Sequence, residues 1–426
     1  VKSDLWDAVV VGAGPAGLMA ALTAAQGGLR VLLLDAQPTA GGQIWRGAAA
    51  GQKGAAGDLL RDVASHPGIT VLSGAEVIAA EAGKPHVLTV TSPAGLTHVH
   101  AARVILCTGA TERFLPFDGW TLPGVVGAGG LQAMSKGGLD VRGKRVVVAG
   151  SGPLLLAVAA GLRQKGARVL AVAEQAGLPG VAAFGVTAAR LPGKATEALE
   201  LAAGLRGVPY WADCAVVRAS GQDQLQTVTL RRGRREVTLA CDYLAVGFGL
   251  MPETRVAALL GCSLDAQGAV DVNVWQATGV SGIYAAGEVC GIGGVDGALL
   301  EGFVAGCAAS GQINRLHDAP RRAEIQRRFQ TVLERSFALR PDRLPIPSPH
   351  TIVCRCEDVR HGDLQGFTNW TAAKLQTRCG MGACQGRVCG PVTETLYGWR
   401  FGGVRAPLAP LPLSQLLAEP TVLGPP

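Results

Sequence analysis

An apolar run that ends in three spaced glycines, Val9-Val10-Val11-Gly12-Ala13-Gly14-Pro15-Ala16-Gly17, restricts the folds open to this chain more than any other stretch. Gly12 permits a tight turn off a buried strand, Gly14 lets a pyrophosphate approach the backbone, and Gly17 lets the following helix lie close to the strand. The helix, expected over Leu18 to Gln26, would turn its free N–H groups and positive dipole end toward that anion. A second apolar strand, Val31 to Leu34, ends at Asp35, where a carboxylate can accept hydrogen bonds from a ribose. Strand, turn, helix, strand and acid together predict an α/β fold with an adenine dinucleotide bound near the start of the chain.

The plan recurs at Lys144-Arg145-Val146-Val147-Val148-Ala149-Gly150-Ser151-Gly152-Pro153, with a second strand, Arg168 to Ala173, that ends at Glu174. Here Leu155 stands in the third glycine position and would crowd helix against strand. A nicotinamide dinucleotide, another nucleotide such as ATP, and a module that keeps only the fold all stay open for this repeat. The chain then returns through Asp242 to Gly247 and Ser281 to Ala286 to Gly287-Glu288, followed by a glycine-rich turn and a helix over Gly297 to Gly311.

Between the repeats, alternating segments at Ile69 to Leu72, Val87 to Thr91 and His98 to Val99 predict a meander that closes on Arg103 to Cys107, ahead of Thr108-Gly109. His98 and His100 share a strand face, but no third metal ligand accompanies them. Arg231 to Arg235 reads as a hairpin tip, and Ala319 to about Arg340 as an amphipathic helix followed by a stiff proline linker over Pro341 to Pro349. The domain boundaries follow: 1–110 with 243–316, an inserted 111–242, a helix and linker over 317–350, a cysteine segment over 351–404, and a Pro-rich tail over 405–426. The net charge of +7 has no basic stripe interleaved with aromatics, which argues against a nucleic-acid partner. No apolar run is long enough for a transmembrane segment and no leader precedes the first strand, so a soluble, cytoplasmic protein is expected.

Five of the 11 cysteines crowd between Cys354 and Cys389. In a cytosolic chain such crowding indicates a metal rather than disulfides. Cys354-x-Cys356 is tighter than usual zinc spacing, and five thiols exceed the four that zinc takes, whereas four thiolates satisfy the two irons of a [2Fe-2S] cluster. Spacing alone leaves the ligand set open, because Cys379, Cys384 and Cys389 form two overlapping C-x4-C pairs.

The paired modules, Gly41-Gly42-Gln43, Thr108-Gly109 and Gly287-Glu288 resemble the two-dinucleotide-binding-domain flavoproteins of the glutathione and thioredoxin reductase class, without their redox CxxC. More specifically, Gly109-Ala110-Thr111-Glu112-Arg113-Phe114-Leu115-Pro116-Phe117 and Gly119-Trp120-Thr121-Leu122-Pro123-Gly124-Val125 are similar to the α subunits of dye-linked proline, hydroxyproline and opine dehydrogenases and the matching subunit of hydrogen cyanide synthase. The cysteine segment is similar to the [2Fe-2S] domain of bacterioferritin-associated ferredoxin.

The resemblance implies FAD held by Gly12, Gly14, Gly17, Asp35, Gly42, Gln43, Gly109, Gly287 and Glu288, two nested Rossmann-like domains, and a small iron–sulfur domain. Its pattern Gly-Met-Gly-x-Cys-Gln-Gly-x-x-Cys selects Cys354, Cys356, Cys384 and Cys389 as ligands and leaves Cys379 as a fifth thiol. Asp35 and Glu288 depart from the commoner Glu and Asp but keep a carboxylate. The implied role is electron transfer in an oxidoreductase acting on CH-NH donors. A partner β subunit of the D-amino-acid-oxidase type would oxidise the amine, an FMN would lie at the subunit interface, a small third subunit could join, and a quinone or dye would accept the electrons. No general base or nucleophile is assigned on this chain. A stand-alone NAD(P)H-dependent flavin oxidoreductase is the alternative.

Overall fold

The computed structural model of the chain describes residues 4–48, 54–191, 194–317, 319–400 and 403–425. It forms two compact units, one of residues 1–111, 251–330 and 403–426, the other of 112–250 and 331–402.

The first unit is built on a parallel sheet in the order Ile283–Ala285, Val104–Leu106, Ala8–Val11, Val31–Asp35, Ile69–Ser73. Val10 lies level with Ile105 on one side and Leu33 on the other, and all three are fully buried. Strands covered on both faces are uniformly apolar, which is why the sequence reads as runs rather than alternation. Burying each such side chain contributes roughly 1.5–3 kcal/mol. The helices Pro15–Gln26 and Gly294–Ala309 cross closely because Gly302 and Gly306 face Ala16 and Ala20. A Cβ on Gly302 would strike the Ala16 carbonyl, and one on Gly306 would lie 2.7 Å from that of Ala20. Ile69 to Leu72, expected in the meander, instead belongs to the strand Ile69–Ser73 that pairs with Val31–Asp35 in the parallel sheet; the meander itself consists of Glu76–Glu81, His86–Ser92 and Gly95–Ala101. The Pro-rich tail runs back along it: Thr421–Val422 pairs with the last of these strands, Leu408 N–H donates to the Ile78 carbonyl, and the Trp6 indole donates to the Leu423 carbonyl. His98 shares its Nδ1 with the Thr89 hydroxyl across the same sheet.

The second unit repeats the parallel sheet in the order Val125–Gly127, Tyr243–Gly247, Arg145–Gly150, Arg168–Glu174, Tyr210–Trp211. Beside it lies an antiparallel sheet of Cys214–Ser220, Thr227–Arg232 and Arg235–Ala240, whose Arg232–Arg235 tip is the expected basic hairpin. The helix Ala319–Phe337 buries Ala319 and Phe329 but leaves Ile325 exposed, so its apolar stripe is only partly covered. Beyond it, residues 338–350 do not act as a free spacer; they lie against the second sheet's turns, and the cysteine segment follows in the same unit.

Candidate cofactor sites

In the first unit Gly12, Gly14, Gly17, Asp35, Gly42 and Gly287, among the residues singled out from the sequence, gather at the start of the helix Pro15–Gln26. Gly12 has φ +104°, and a Cβ there would strike the Cys107 carbonyl; a Cβ on Gly17 would strike the carbonyl of Gly12. Both glycines are therefore demanded by the protein's own backbone. Gly14 is different: its φ of −75° suits any residue, and a Cβ would come no nearer than 3.9 Å to Gly42. Nothing in the chain explains a glycine there, whereas a pyrophosphate lying on the helix end would. The half-exposed Gly42 faces it across this space, and Gly41 N–H donates to the Ala13 carbonyl to hold the loop in place.

Asp35 accepts the Ala13 N–H at 2.6 Å on one oxygen and the Gln37 N–H at 2.7 Å on the other. Its first task is thus to fasten the glycine turn, and each oxygen retains a lone pair for a hydroxyl. Gln43 is exposed and accepts from Arg46 at 3.0 Å. Gly109 has φ +73° with open space around its Cα, and its carbonyl accepts the Glu253 N–H. Gly287, φ +82°, lies against Ala16 at the same helix end.

One group the sequence reading missed is Glu301. It sits inside the helix Gly294–Ala309 and accepts the Gly287 N–H at 2.8 Å. Burial pushes its carboxyl up to about 7, with the Gly287 bond opposing and the charge of Glu288 reinforcing the shift. Burial also raises Glu288. No local motif marks Glu301, because it meets the Gly287 N–H only when the helix Gly294–Ala309 folds back beside the turn that precedes it. These residues fit a flavin dinucleotide: an open cradle at Gly14, a helix end, and two half-buried acids, Glu288 and Glu301, at the turn that follows the last strand.

The cysteine segment contains a second site. The Sγ atoms of Cys354, Cys379 and Cys389, all buried, lie within 4.8 Å of one another. The Cys354 sulfur accepts from both neighbours, which lowers its pKa and raises theirs. Cys356 and Cys384, both more exposed, are hydrogen-bonded to each other. The five thiols thus form a buried triad and an outer pair, a donor set suited to iron or another thiophilic metal. Gly382 allows the close approach, since a Cβ on it would strike that of Cys356.

The family described as pyridine nucleotide-disulphide oxidoreductase matches residues 6–320. The chain belongs to this family. It is an oxidoreductase of the flavin-binding, two-module type, and the sequence relatives extend the likeness through the cysteine segment. Hydrogen cyanide synthase subunit HcnB of Pseudomonas protegens is 31% identical, over 95% of this chain and 96% of its own. An opine oxidase subunit of Rhizobium meliloti is 33% identical, over 98% of this chain and 100% of its own. Among solved structures, L-proline dehydrogenase from P. horikoshii shares the fold with a TM-score of 0.66 at 19% identity, over 97% of this chain and 80% of its own. Among the described residues no helix is long and apolar enough to cross a membrane.

Proposed function

We propose that the chain is the FAD- and [2Fe-2S]-carrying electron-transfer component of a dehydrogenase or oxidase that acts on amino acids and is built from several different subunits. The observation that carries this reading is the match, over nearly the whole of both chains, to proteins named as subunits of opine oxidase and hydrogen cyanide synthase. The partner is a flavoprotein of the D-amino-acid-oxidase type. It oxidises a secondary amine such as proline, hydroxyproline or an opine, with FMN at the interface between the two and a quinone or dye as acceptor.

Bound FAD would take up electrons in pairs and release them one at a time, as a [2Fe-2S] cluster requires, so one chain holding both can pass a two-electron oxidation to one-electron carriers. Gly14 and Gly42 leave room for the pyrophosphate, Asp35 fixes the turn and reaches a ribose, and Glu301 holds the Gly287 N–H so that the turn keeps its shape. Cys356 with Cys384 would hold one iron, and Cys354 with Cys389 the other. Cys379 is then the fifth thiol, packed beside the cluster.

The test is dye reduction by the purified single chain against that of the chain co-expressed with an oxidase-like partner. With proline, hydroxyproline, glycine or an opine the single chain should be inactive and the pair active. Turnover by the single chain would return the substrate site to this polypeptide and sink the reading.

A further inference from the structure

The family's description implies a pyridine nucleotide, and the second module is where its fold would hold one. The residues there do not fit such a ligand, because the chain's own segment after the helix Ala319–Phe337 already lies on them. The Ser151 hydroxyl, in the glycine turn, donates to the Phe337 carbonyl at 2.9 Å. Gln175, the first residue past the second strand, brackets the next peptides with both ends of its amide: Nε2 donates to the Ala338 carbonyl at 3.1 Å, and Oε1 accepts the Arg340 N–H at 3.2 Å. Phe337 packs edge-on against Phe184 with ring centroids 5.1 Å apart. Asp213 anchors the segment with ion pairs to Arg340 at 2.7 Å and Arg343 at 2.8 Å.

These are the positions a dinucleotide needs. In this fold the pyrophosphate lies over the glycine turn and the helix end, and the adenosine beside the residues that follow the second strand. Ser151, Gly152, Glu174 and Gln175 are all buried. The helix end has also lost its anion-binding form: Leu155 N–H turns back to the Gly152 carbonyl and Leu156 N–H to that of Pro153, using donors that would face a phosphate.

The same segment leads directly into the cysteine segment, which is fastened to the module a few residues later. The Trp120 indole donates to the Ile352 carbonyl at 2.7 Å, the Arg355 guanidinium lies over the Trp120 ring at 5.4 Å, and Asp118 accepts the Ser348 and Thr351 hydroxyls. We propose that the second module binds no nucleotide, and that residues 336–343 occupy its site and make it the seat on which the cysteine segment is mounted. This inference does not depend on which amine, if any, the assembly oxidises.

The experiment uses the purified holoprotein. Calorimetric titration with NADH, NADPH and ATP, each to about 1 mM, should show no binding, and NADH should not bleach the flavin anaerobically. Hydrogen exchange should show residues 336–343 protected. The double variant Ser151→Ala/Gln175→Ala, which removes three hydrogen bonds to the segment, should exchange there at least about tenfold faster, a change of about 1.4 kcal/mol in local opening, with flavin content unchanged. Binding of any of the three nucleotides to the wild-type protein with Kd below about 0.1 mM would overturn the proposal. So would a segment 336–343 that is unprotected in the wild-type protein, a measurement that stands even if the double variant does not fold.

Discussion

The two nucleotide modules of this chain share one plan, strand, glycine turn, helix, strand and acid, and differ in who fills it. In the first, Gly14 is half-exposed and Ala36, the residue after the acid, is exposed. In the second, their counterparts Gly152 and Gln175 are buried. The middle glycines make the same point through their backbones. Gly152, with φ +107°, is required by its own conformation, whereas Gly14 takes an ordinary conformation in open space and is accounted for by a ligand. In both modules the acid ties down the turn, Asp35 through Ala13 N–H and Glu174 through Gly152 N–H at 2.8 Å. An acid at that position is therefore part of the motif's own architecture, and what separates the two modules is the chain segment that lies on Ser151 and Gln175 in the second.

The sharpest way to break the comparison is to place a side chain at each middle glycine. Gly14→Val should fold, since its Cβ meets only ordinary contact, and should lose flavin by at least about 100-fold in affinity, close to 3 kcal/mol. Gly152→Val should keep its flavin and lose about 1–2 kcal/mol of stability to the left-handed backbone. Flavin absorbance and thermal unfolding of the two variants separate these outcomes. Full flavin occupancy in Gly14→Val would move the cofactor away from the first module.

The cysteine segment tests what the second module carries. Cys354→Ser and Cys389→Ser should lose most of the iron, because each belongs both to the buried triad and to the ligand pattern of the resembled domain. Cys356→Ser and Cys384→Ser should do the same, and Cys379→Ser should retain it. Iron content and electron paramagnetic resonance decide; loss of iron in Cys379→Ser with retention in Cys389→Ser would exchange the two in the ligand set.

Much of this was legible beforehand, for identifiable reasons. The central strands of both parallel sheets announce themselves as runs of Val, Leu and Ala, because strands buried on both faces leave no polar alternation to misread, whereas the half-buried edge strand Ile69–Ser73 carries Thr70 and Ser73 and reads as part of the meander. The crowding expected at Leu155 is relieved by a partner distant along the chain but adjacent in the sheet: Gly247 leaves room for the leucine side chain, and the helix begins at Leu154 rather than at the proline before it. That compensation is a contact between the helix and the end of a strand remote in sequence, and has no local signature. The string around Glu112 to Trp120 looked specific without a visible cause. Its cause is now structural: Glu112 accepts the Gly129 and Gly130 N–H groups at the start of the helix Ala128–Lys136, Leu115 and Phe117 are core, and Asp118 and Trp120 hold the residues leading into the cysteine segment. The segment after Phe337 read as a linker because prolines show stiffness but not what the chain lies against.

The first module offers a smaller, pH-dependent effect through Glu301. Its carboxyl keeps a proton up to about pH 7, whereas in the unfolded chain it would release it near pH 4.3. Between these values the native state binds more protons than the unfolded state, so stability falls as pH rises through that window and levels off above it. Glu301→Gln can still accept the Gly287 N–H but does not ionise. It should match the parent near pH 4 and exceed it by about 2–3 kcal/mol at pH 8. Parallel stability curves for the two proteins across this range would show that Glu301 does not titrate there.

The smallest expected effect sharpens the other side of the comparison, the hold of the second module on its own chain. Asp213 takes a left-handed backbone, φ 58°, which asparagine tolerates, so Asp213→Asn leaves the turn intact and removes only the charge. Arg340 keeps a second partner in Asp342 at 2.8 Å, and the Asp213 and Arg340 side chains are each about 37% exposed, so solvent screens much of the pair. Arg343, at 15% exposure, loses more. The net cost should be about 1 kcal/mol, read as roughly fivefold faster hydrogen exchange across residues 336–343. High salt should narrow the difference from the parent, because the exposed part of the attraction is screened first. Unchanged exchange would mean that the hydrogen bonds of Ser151 and Gln175, with the Phe184–Phe337 packing, hold the segment without help from Asp213.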